Sequence, residues 1–357
     1  MRAGGETSMS AGTAPRRSRL WLFAPPALLA LLVAALAAAW FVIRARTGEA
    51  LDAFVANESA AGRRWDCPER AIAGFPFRIE VSCARLAIEG PEGALAAGRL
   101  RTVTQIYQPR HTIFELDGPF RAASGGVAAE GSWDALRGSV HTAPNGLERV
   151  SLVLGAPKLR VSGLPAGEAM LSARSVEAHV RPDPAGADAI DLAATVAGAA
   201  VPPLDQLLGG PEPIDADLQI RVTQARAGLR PSRSEIERWR EAGGRIGLTS
   251  LTTAKGARRL EAKGELGLDE LRRPMGRLEV AAAGLGDLLA TLMGGRLPTA
   301  PGAVLGGLLG PRLQQSLGGG SAKDPGKLTP LPAIRIENGR IYVGSLTVPG
   351  VRLMPLY

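Results

Sequence analysis

Side chains that commonly carry out chemistry are few and scattered in this sequence. The three histidines, His111, His141 and His179, lack the spacing of metal ligands. A Gly-x-Ser-x-Gly nucleophile elbow is absent, and the segment around Gly326-Lys327 lacks the first glycine and the Ser or Thr of a phosphate-binding loop. We therefore expect no enzyme activity, no metal and no cofactor, with an undetected hydrolase as the least favoured alternative.

Long runs of like charge are also missing. The formal net charge is +8, but acidic and basic residues alternate along the chain, and no basic stripe carries interleaved aromatic residues. This pattern argues against a nucleic-acid partner. Aromatic residues make up only 4 % of the chain, whereas glycine (45) and proline (27) are abundant. Such a composition favours many short strands over long helices.

One long hydrophobic run is present near the N-terminus. The segment Leu20–Ile43 carries no charge, and as a helix it would span about 36 Å, enough to cross a hydrocarbon core of about 30 Å. Four arginines precede it, so the positive-inside rule predicts residues 1–19 in the cytoplasm and a single transmembrane anchor at 20–43 in the inner membrane. A cleaved signal peptide is the alternative, because Ala-x-Ala cleavage patterns occur within 35–39.

Beyond the anchor, we expect a helical stalk over 44–64 and a β-rich periplasmic domain over 65–357. Apolar and polar residues alternate with period two at 75–83, 214–222 and 260–268, which is typical of strands with one buried face. These segments predict a mainly β fold, with one large, curved antiparallel sheet and a few short helices. The expected apolar face of that sheet contains Phe75, Phe77, Ile79, Val81, Leu218, Ile220 and Leu266.

Local signals predict the smaller elements. Short helices are expected at 232–242, 286–293 and 302–317, and the first of them begins with the Ser-x-x-Glu pattern of a capping box. The Gly-rich segment 318–329 has the composition of a loop. Asn338-Gly339 lies between two short apolar alternations and predicts a β-hairpin.

The sequence contains two cysteines, Cys67 and Cys83, both beyond the anchor. Their spacing excludes a C-x-x-C redox or zinc motif. In a periplasmic compartment an isolated pair favours a structural disulfide. Two buried, reduced thiols are the alternative.

Several segments resemble one bacterial family. Residues 65–68 are WDCP, residues 74–83 are GFPFRIEVSC and residues 339–344 are GRIYVG. These segments are similar to family 2125 of the domains of unknown function, which are alphaproteobacterial membrane-anchored envelope proteins. The family has no assigned activity, so the resemblance implies no catalytic residue. One anchor followed by amphipathic strands is also similar in architecture to the AsmA-like envelope proteins, which implies lipid carried along a curled sheet.

These observations lead to two functional hypotheses. The first is a non-enzymatic protein, anchored in the inner membrane and mostly periplasmic, that holds or conducts lipid on the apolar face of its sheet. The alternative is a structural or interaction scaffold for other envelope proteins. A lipid-binding face leaves apolar surface uncovered by helices, whereas a scaffold buries that face and offers polar edges. The expected partners are therefore the inner membrane, a lipid ligand and other envelope proteins.

Overall fold

A computed structural model describes residues 20–357, apart from 92, 145, 165–166, 185–187, 203–204, 206–209, 226–232, 285–327, 349–350 and 357. The fold is mainly β, with two antiparallel sheets preceded by a long N-terminal helix. The helices predicted at 286–293 and 302–317, and nearly all of the loop predicted at 318–329, lie outside the described residues.

Helix α1 (Leu20–Ala60) continues without a break from the hydrophobic run into the predicted stalk. Within the described part of the chain, it is the one helix long and apolar enough to cross a membrane, over Phe23–Ala60, which indicates a single-pass anchor. Gly62 ends it with φ +79°, a conformation that glycine commonly adopts just after a helix. The Gly62 amide donates to the Ser59 carbonyl at 2.9 Å. The helical part of the stalk therefore ends at Ala60.

Within the described residues, the strands form a short sheet and a long sheet in which all neighbours are antiparallel. The short sheet has seven strands, in the spatial order β1 (Arg64–Asp66), β4 (Leu86–Gly90), β5 (Gly93–Ala97), β8 (Phe120–Ser124), β9 (Val127–Ser132), β12 (Lys158–Leu164) and β13 (Gly167–Ser172). The long sheet has 16 strands, in the order β2 (Ala71–Ala73), β3 (Arg78–Cys83), β6 (Leu100–Gln105), β7 (Gln108–Leu116), β10 (Ala135–Ala143), β11 (Gly146–Gly155), β14 (Ser175–Pro182), β15 (Ala189–Ala199), β16 (Ile214–Thr223), β17 (Ile246–Lys255), β18 (Arg258–Leu268), β19 (Pro274–Ala283), β21 (Ile334–Glu337), β22 (Arg340–Val343) and β23 (Leu346–Thr347), with β20 (Thr329–Pro330) also paired to β19. Helix α2 (Arg233–Glu241) lies between β16 and β17.

The two sheets are the two halves of one folded meander. From β3 to β14 the chain forms hairpins alternately in the long and the short sheet, and it passes between them through two or three residues each time. We call this line of passages the crease; it consists of residues 84–85, 98–99, 117–119, 133–134, 156–157 and 173–174. Main-chain bonds continue across it, as from Gly98 N to Asp117 O at 2.9 Å and from Asp134 N to Gly155 O at 3.0 Å. Main-chain hydrogen bonding therefore continues from one sheet into the other.

The predicted disulfide is confirmed and lies beside the crease. Cys83 ends β3, Cys67 follows β1, and their Cα atoms are 5.2 Å apart. Next to the bond, the Ala84 amide donates to the Pro68 carbonyl at 3.0 Å. The bond thus holds the connection between β1 and β2 against the point where the chain first crosses from the long to the short sheet.

The strand predicted at 75–83 begins later than expected, at Arg78. Phe75, Pro76 and Phe77 form a turn that starts at Gly74, whose φ is +102°. The Arg78 amide closes this turn by donating to the Gly74 carbonyl at 3.1 Å. Pairing with β6 starts only after this turn, at Arg78. Phe75 and Phe77 therefore do not belong to the strand.

Other sequence predictions are confirmed. The alternations at 214–222 and 260–268 correspond to β16 and β18, and α2 falls inside the predicted 232–242. Asn338 and Gly339 have φ values of 53° and 71° between β21 and β22. Positive φ at both positions is typical of the tight hairpin turn that Asn-Gly favours.

A substitution at Gly98 tests the close backbone packing at the crease. A Cβ at this position would lie 2.7 Å from the Gly118 carbonyl oxygen and 2.8 Å from that of Asp117. We expect Gly98→Ala to destabilise the protein by about 1–3 kcal/mol, as overpacking does. Gly155→Ala is the matched control, since its Cβ would meet nothing closer than 3.8 Å at the crease end of β11. Urea unfolding midpoints in detergent measure both effects. Equal midpoints for the two variants would contradict the close approach.

Candidate functional site: the apolar face of the long sheet

Directly paired residues of an antiparallel sheet point to the same side. Following the pairs strand by strand defines one row from β3 to β22: Ile79, Thr104, Thr112, Val140, Val150, Val180, Leu192, Ile220, Leu248, Gly264, Leu278, Ile334 and Val343. A second row on the same side runs from β3 to β19: Val81, Thr102, Phe114, Gly138, Leu152, Ala178, Ala194, Leu218, Leu251, Ala262 and Val280. We call the side that carries both rows the apolar face. At about 4.8 Å per strand, the first row extends for nearly 60 Å.

A bulge keeps the apolar face continuous at its centre. Strand β17 spaces Leu248 and Leu251 three residues apart, which would turn one of them to the opposite side of a regular strand. The register shifts at this point, so that Leu248 pairs with Ile220 and Leu251 with Leu218 while Thr249 is left over. Both leucines therefore stay on the apolar face, because the bulge absorbs the extra residue.

The opposite side of the long sheet is charged, and we call it the charged face. Its cross-strand ion pairs include Arg101–Glu80 at 2.6 Å and Arg221–Asp191 at 2.8 Å. The hydrogen bond from Arg101 lowers the pKa of Glu80, and the bond from Arg221 lowers the pKa of Asp191. Both arginine side chains are partly exposed on this side, so the sheet is amphipathic.

Side chains on the apolar face are only partly shielded. Most are half-buried, and among the described residues no side chain is completely removed from solvent. The few hydrophobic residues that are buried are mostly alanines, such as Ala262 and Ala282. When a second layer packs on a sheet, inner side chains lose nearly all their exposure. Ile79 in β3 is buried next to the contacts of α1, whereas over the later strands of the apolar face the described residues provide no second layer.

The short sheet repeats this division between an apolar and a charged side. Trp65, Ile88 and Leu95 share one side through direct pairing. The other side carries exposed ion pairs, including Arg121–Glu130 at 3.4 Å. Both halves of the meander are therefore amphipathic.

Helix α1 is docked along the first edge of both sheets. Buried Trp40 donates its indole Nε1–H to the Arg78 carbonyl at 2.9 Å. Farther along the helix, Asp52 pairs with Arg70 at 2.6 Å. As the helix proceeds from Trp40 to Asp52, the residues that it contacts run backwards along the sequence, from Arg78 to Arg70. Helix α1 therefore lies beside the edge strands, antiparallel to the segment that it contacts, and shields those strands from further pairing.

The far end of the docked helix is held by a buried carboxylate. Glu58 is 5 % exposed and accepts from Arg63 Nε at 2.6 Å and from Trp65 Nε1 at 3.3 Å. The Phe54 and Trp65 rings meet edge to face at 5.1 Å. A buried charge is tolerated only when it is paired and hydrogen-bonded, so this cluster fixes where α1 joins β1.

The structure brings five of the seven predicted face residues onto one side of one sheet. Ile79 and Val81 are in β3, Leu218 and Ile220 in β16, and Leu266 in β18. The other two do not join them. Phe75 and Phe77 lie in the turn before β3, and the Phe75 ring packs edge to face on Trp40 at 5.4 Å.

Sequence reasoning missed one pairing on the charged face. His111 and His141, which are 30 positions apart, are directly paired between β7 and β10, and their rings stack at 3.9 Å. His179 is separate and bonds Ser151 Oγ at 3.0 Å. Only the strand register could have indicated this pair. In the described part of the chain, no group of three or more His, Cys, Asp or Glu residues could hold a metal ion.

Comparison with known proteins adds a family. The bacterial family described as "Uncharacterized protein conserved in bacteria (DUF2125)" matches residues 40–351. The chain belongs to this family. The match begins at Trp40, the residue that joins the anchor to β3 of the long sheet, and it includes both amphipathic sheets. No curated protein and no solved structure matches the chain.

The ion pairs of the charged face predict a pH dependence. Because the pKa of Glu80 is lower in the folded protein, its contribution to stability is complete above the unfolded pKa of about 4.3 and is lost as pH falls further. We expect Glu80→Gln to lower the urea midpoint at pH 7 and to have a much smaller effect at pH 3. Glu279→Gln, whose 3.5 Å pair with Lys263 is exposed, should change the midpoint little at either pH. An effect of Glu80→Gln that does not depend on pH would contradict this role.

Proposed function

We propose that this protein is a non-enzymatic envelope protein, anchored in the inner membrane, that holds lipid acyl chains on the apolar face of its long sheet. The observation that carries the proposal is a row of cross-strand neighbours that has no polar side chain from Val140 in β10 to Val343 in β22 and that no described layer covers. Apolar surface left in water costs about 25 cal/mol per Å². Acyl chains would remove this cost, since they are flexible, wholly apolar and able to lie along such a face.

The anchor supports the same function. A single apolar helix is docked on the first edge of the sheet, so the apolar face begins beside the membrane. The disulfide between Cys67 and Cys83 fits an oxidising compartment such as the periplasm. The arginines before the helix favour residues 1–19 in the cytoplasm. The proposed arrangement is therefore one span, with the sheets in the periplasm.

Topology can be tested with reporter fusions. Alkaline phosphatase folds only in an oxidising compartment, so fusions after Thr47 and after Tyr357 should both be active. An inactive fusion at either site would contradict the single span with a periplasmic domain. Isolation of a mature chain that lacks residues 1–39 would instead favour the signal peptide.

Lipid contact can be tested with a photoreactive amino acid in the full-length protein in its native membrane. Leu218 is half-buried on the apolar face between Ala194 and Leu251, whereas the next residue, Gln219, is exposed on the charged face. We expect benzoylphenylalanine at position 218 to cross-link to phospholipid, and the same probe at 219 to give no lipid adduct. Mass spectrometry of the adducts identifies the partner.

The other outcomes of this cross-linking separate the alternatives. A protein adduct at 218 would favour the envelope scaffold, and an adduct to another segment of the same chain would show that the protein covers its own face. As a second measurement, Ile220→Asp should reduce the phospholipid adduct at 218 while the disulfide-bonded domain stays folded. Complete unfolding of Ile220→Asp would instead indicate ordinary core, where an unpaired charge costs several kcal/mol.

A further inference from the structure

A cluster of exposed aromatic side chains lies where helix α1 meets the long sheet. Phe75 is 55 % exposed and Phe77 60 % in the turn before β3, and Tyr107 is 68 % exposed in the hairpin between β6 and β7. The Ile106 amide donates to the Phe77 carbonyl at 3.0 Å, which places the hairpin beside the turn. In a chain that is only 4 % aromatic, three large rings point into solvent at one corner.

The membrane anchor determines the depth of this corner. Trp40 lies about 13 Å along the helix from the middle of the uncharged run Leu20–Ile43, and half of a hydrocarbon core is about 15 Å. Trp40 therefore lies at the boundary between acyl chains and headgroups. Its indole bonds the Arg78 carbonyl at 2.9 Å, and its ring contacts Phe75 with centroids 5.4 Å apart. The turn before β3 is held at the same depth.

We propose that Phe75, Phe77 and Tyr107 insert into the headgroup region of the bilayer that α1 crosses, so that the sheet rests on the membrane surface. Aromatic rings prefer this region because one part of it is apolar and another is wet. Exposed Arg44 donates to the Ile72 carbonyl at 3.1 Å, just before the turn, and exposed Arg110 lies three residues after Tyr107 in the sequence. Both side chains suit anionic headgroups. The proposal rests on α1 as a membrane anchor and does not depend on lipid binding by the apolar face.

An environment-sensitive fluorophore can test the insertion in the full-length protein, reconstituted into nanodiscs of phosphatidylcholine and phosphatidylglycerol. Phe77→Cys and Tyr107→Cys place the label NBD in the cluster, and labelling without reductant leaves the Cys67–Cys83 bond intact. We expect blue-shifted emission and strong quenching by a nitroxide placed near the headgroup of the lipid.

Ala94→Cys is the matched control. Ala94 is exposed and pairs with Glu89, which pairs with Arg64 just after the end of α1. That level of the protein is about 30 Å along the helix from Trp40, so a label there should keep aqueous emission and escape quenching. Aqueous emission from labels at both 77 and 107, with the disulfide retained, would overturn the insertion. Equal quenching of the label at 94 would overturn it as well, because the contact would then not be confined to the corner. Either result leaves the cross-linking at Leu218 as an independent test of the proposed function.

Discussion

The register of the antiparallel hydrogen-bond ladders decides on which side of the long sheet every side chain lies. A one-residue shift in the register of any strand pair would move the side chains of the shifted strand to the opposite side of the sheet and interrupt the apolar face. The chain avoids this even where its alternation fails, because the bulge at Thr249 restores the side of Leu251. Continuity of the face over thirteen strands is therefore a property of the register as a whole rather than of individual strands.

The open edges of such a sheet constrain the rest of the fold. Helix α1 shields the first edge through Trp40 and the buried Glu58 cluster, and the disulfide holds the same edge where it meets the crease. Membrane attachment and edge protection therefore depend on the same contacts. For this reason the direction in which α1 leaves the bilayer also positions the start of the apolar face.

Local patterns were sufficient where one residue type decides the outcome. The hairpin at Asn338-Gly339 and the alternation in β16 were predictable because turn chemistry and period two act over a few residues. The pattern at 75–83 was misleading, since alternation counts apolar positions but does not register the turn that begins at Gly74 and closes at Arg78. His111 and His141 could not be paired without the register, because nothing local links residues on strands that are separated by a hairpin.

By itself, the sequence determined the transmembrane helix, the disulfide partners, the β class and the amphipathic character of its strands, because each depends on composition or on spacing within a short segment. The tertiary structure decided how those strands add up. It assembled one face from thirteen strands, divided the meander into two sheets at the crease, and placed Phe75 against the anchor and Phe77 in the turn before β3. These outcomes depend on pairing between distant segments and on close approaches such as that at Gly98, which no short stretch of sequence contains.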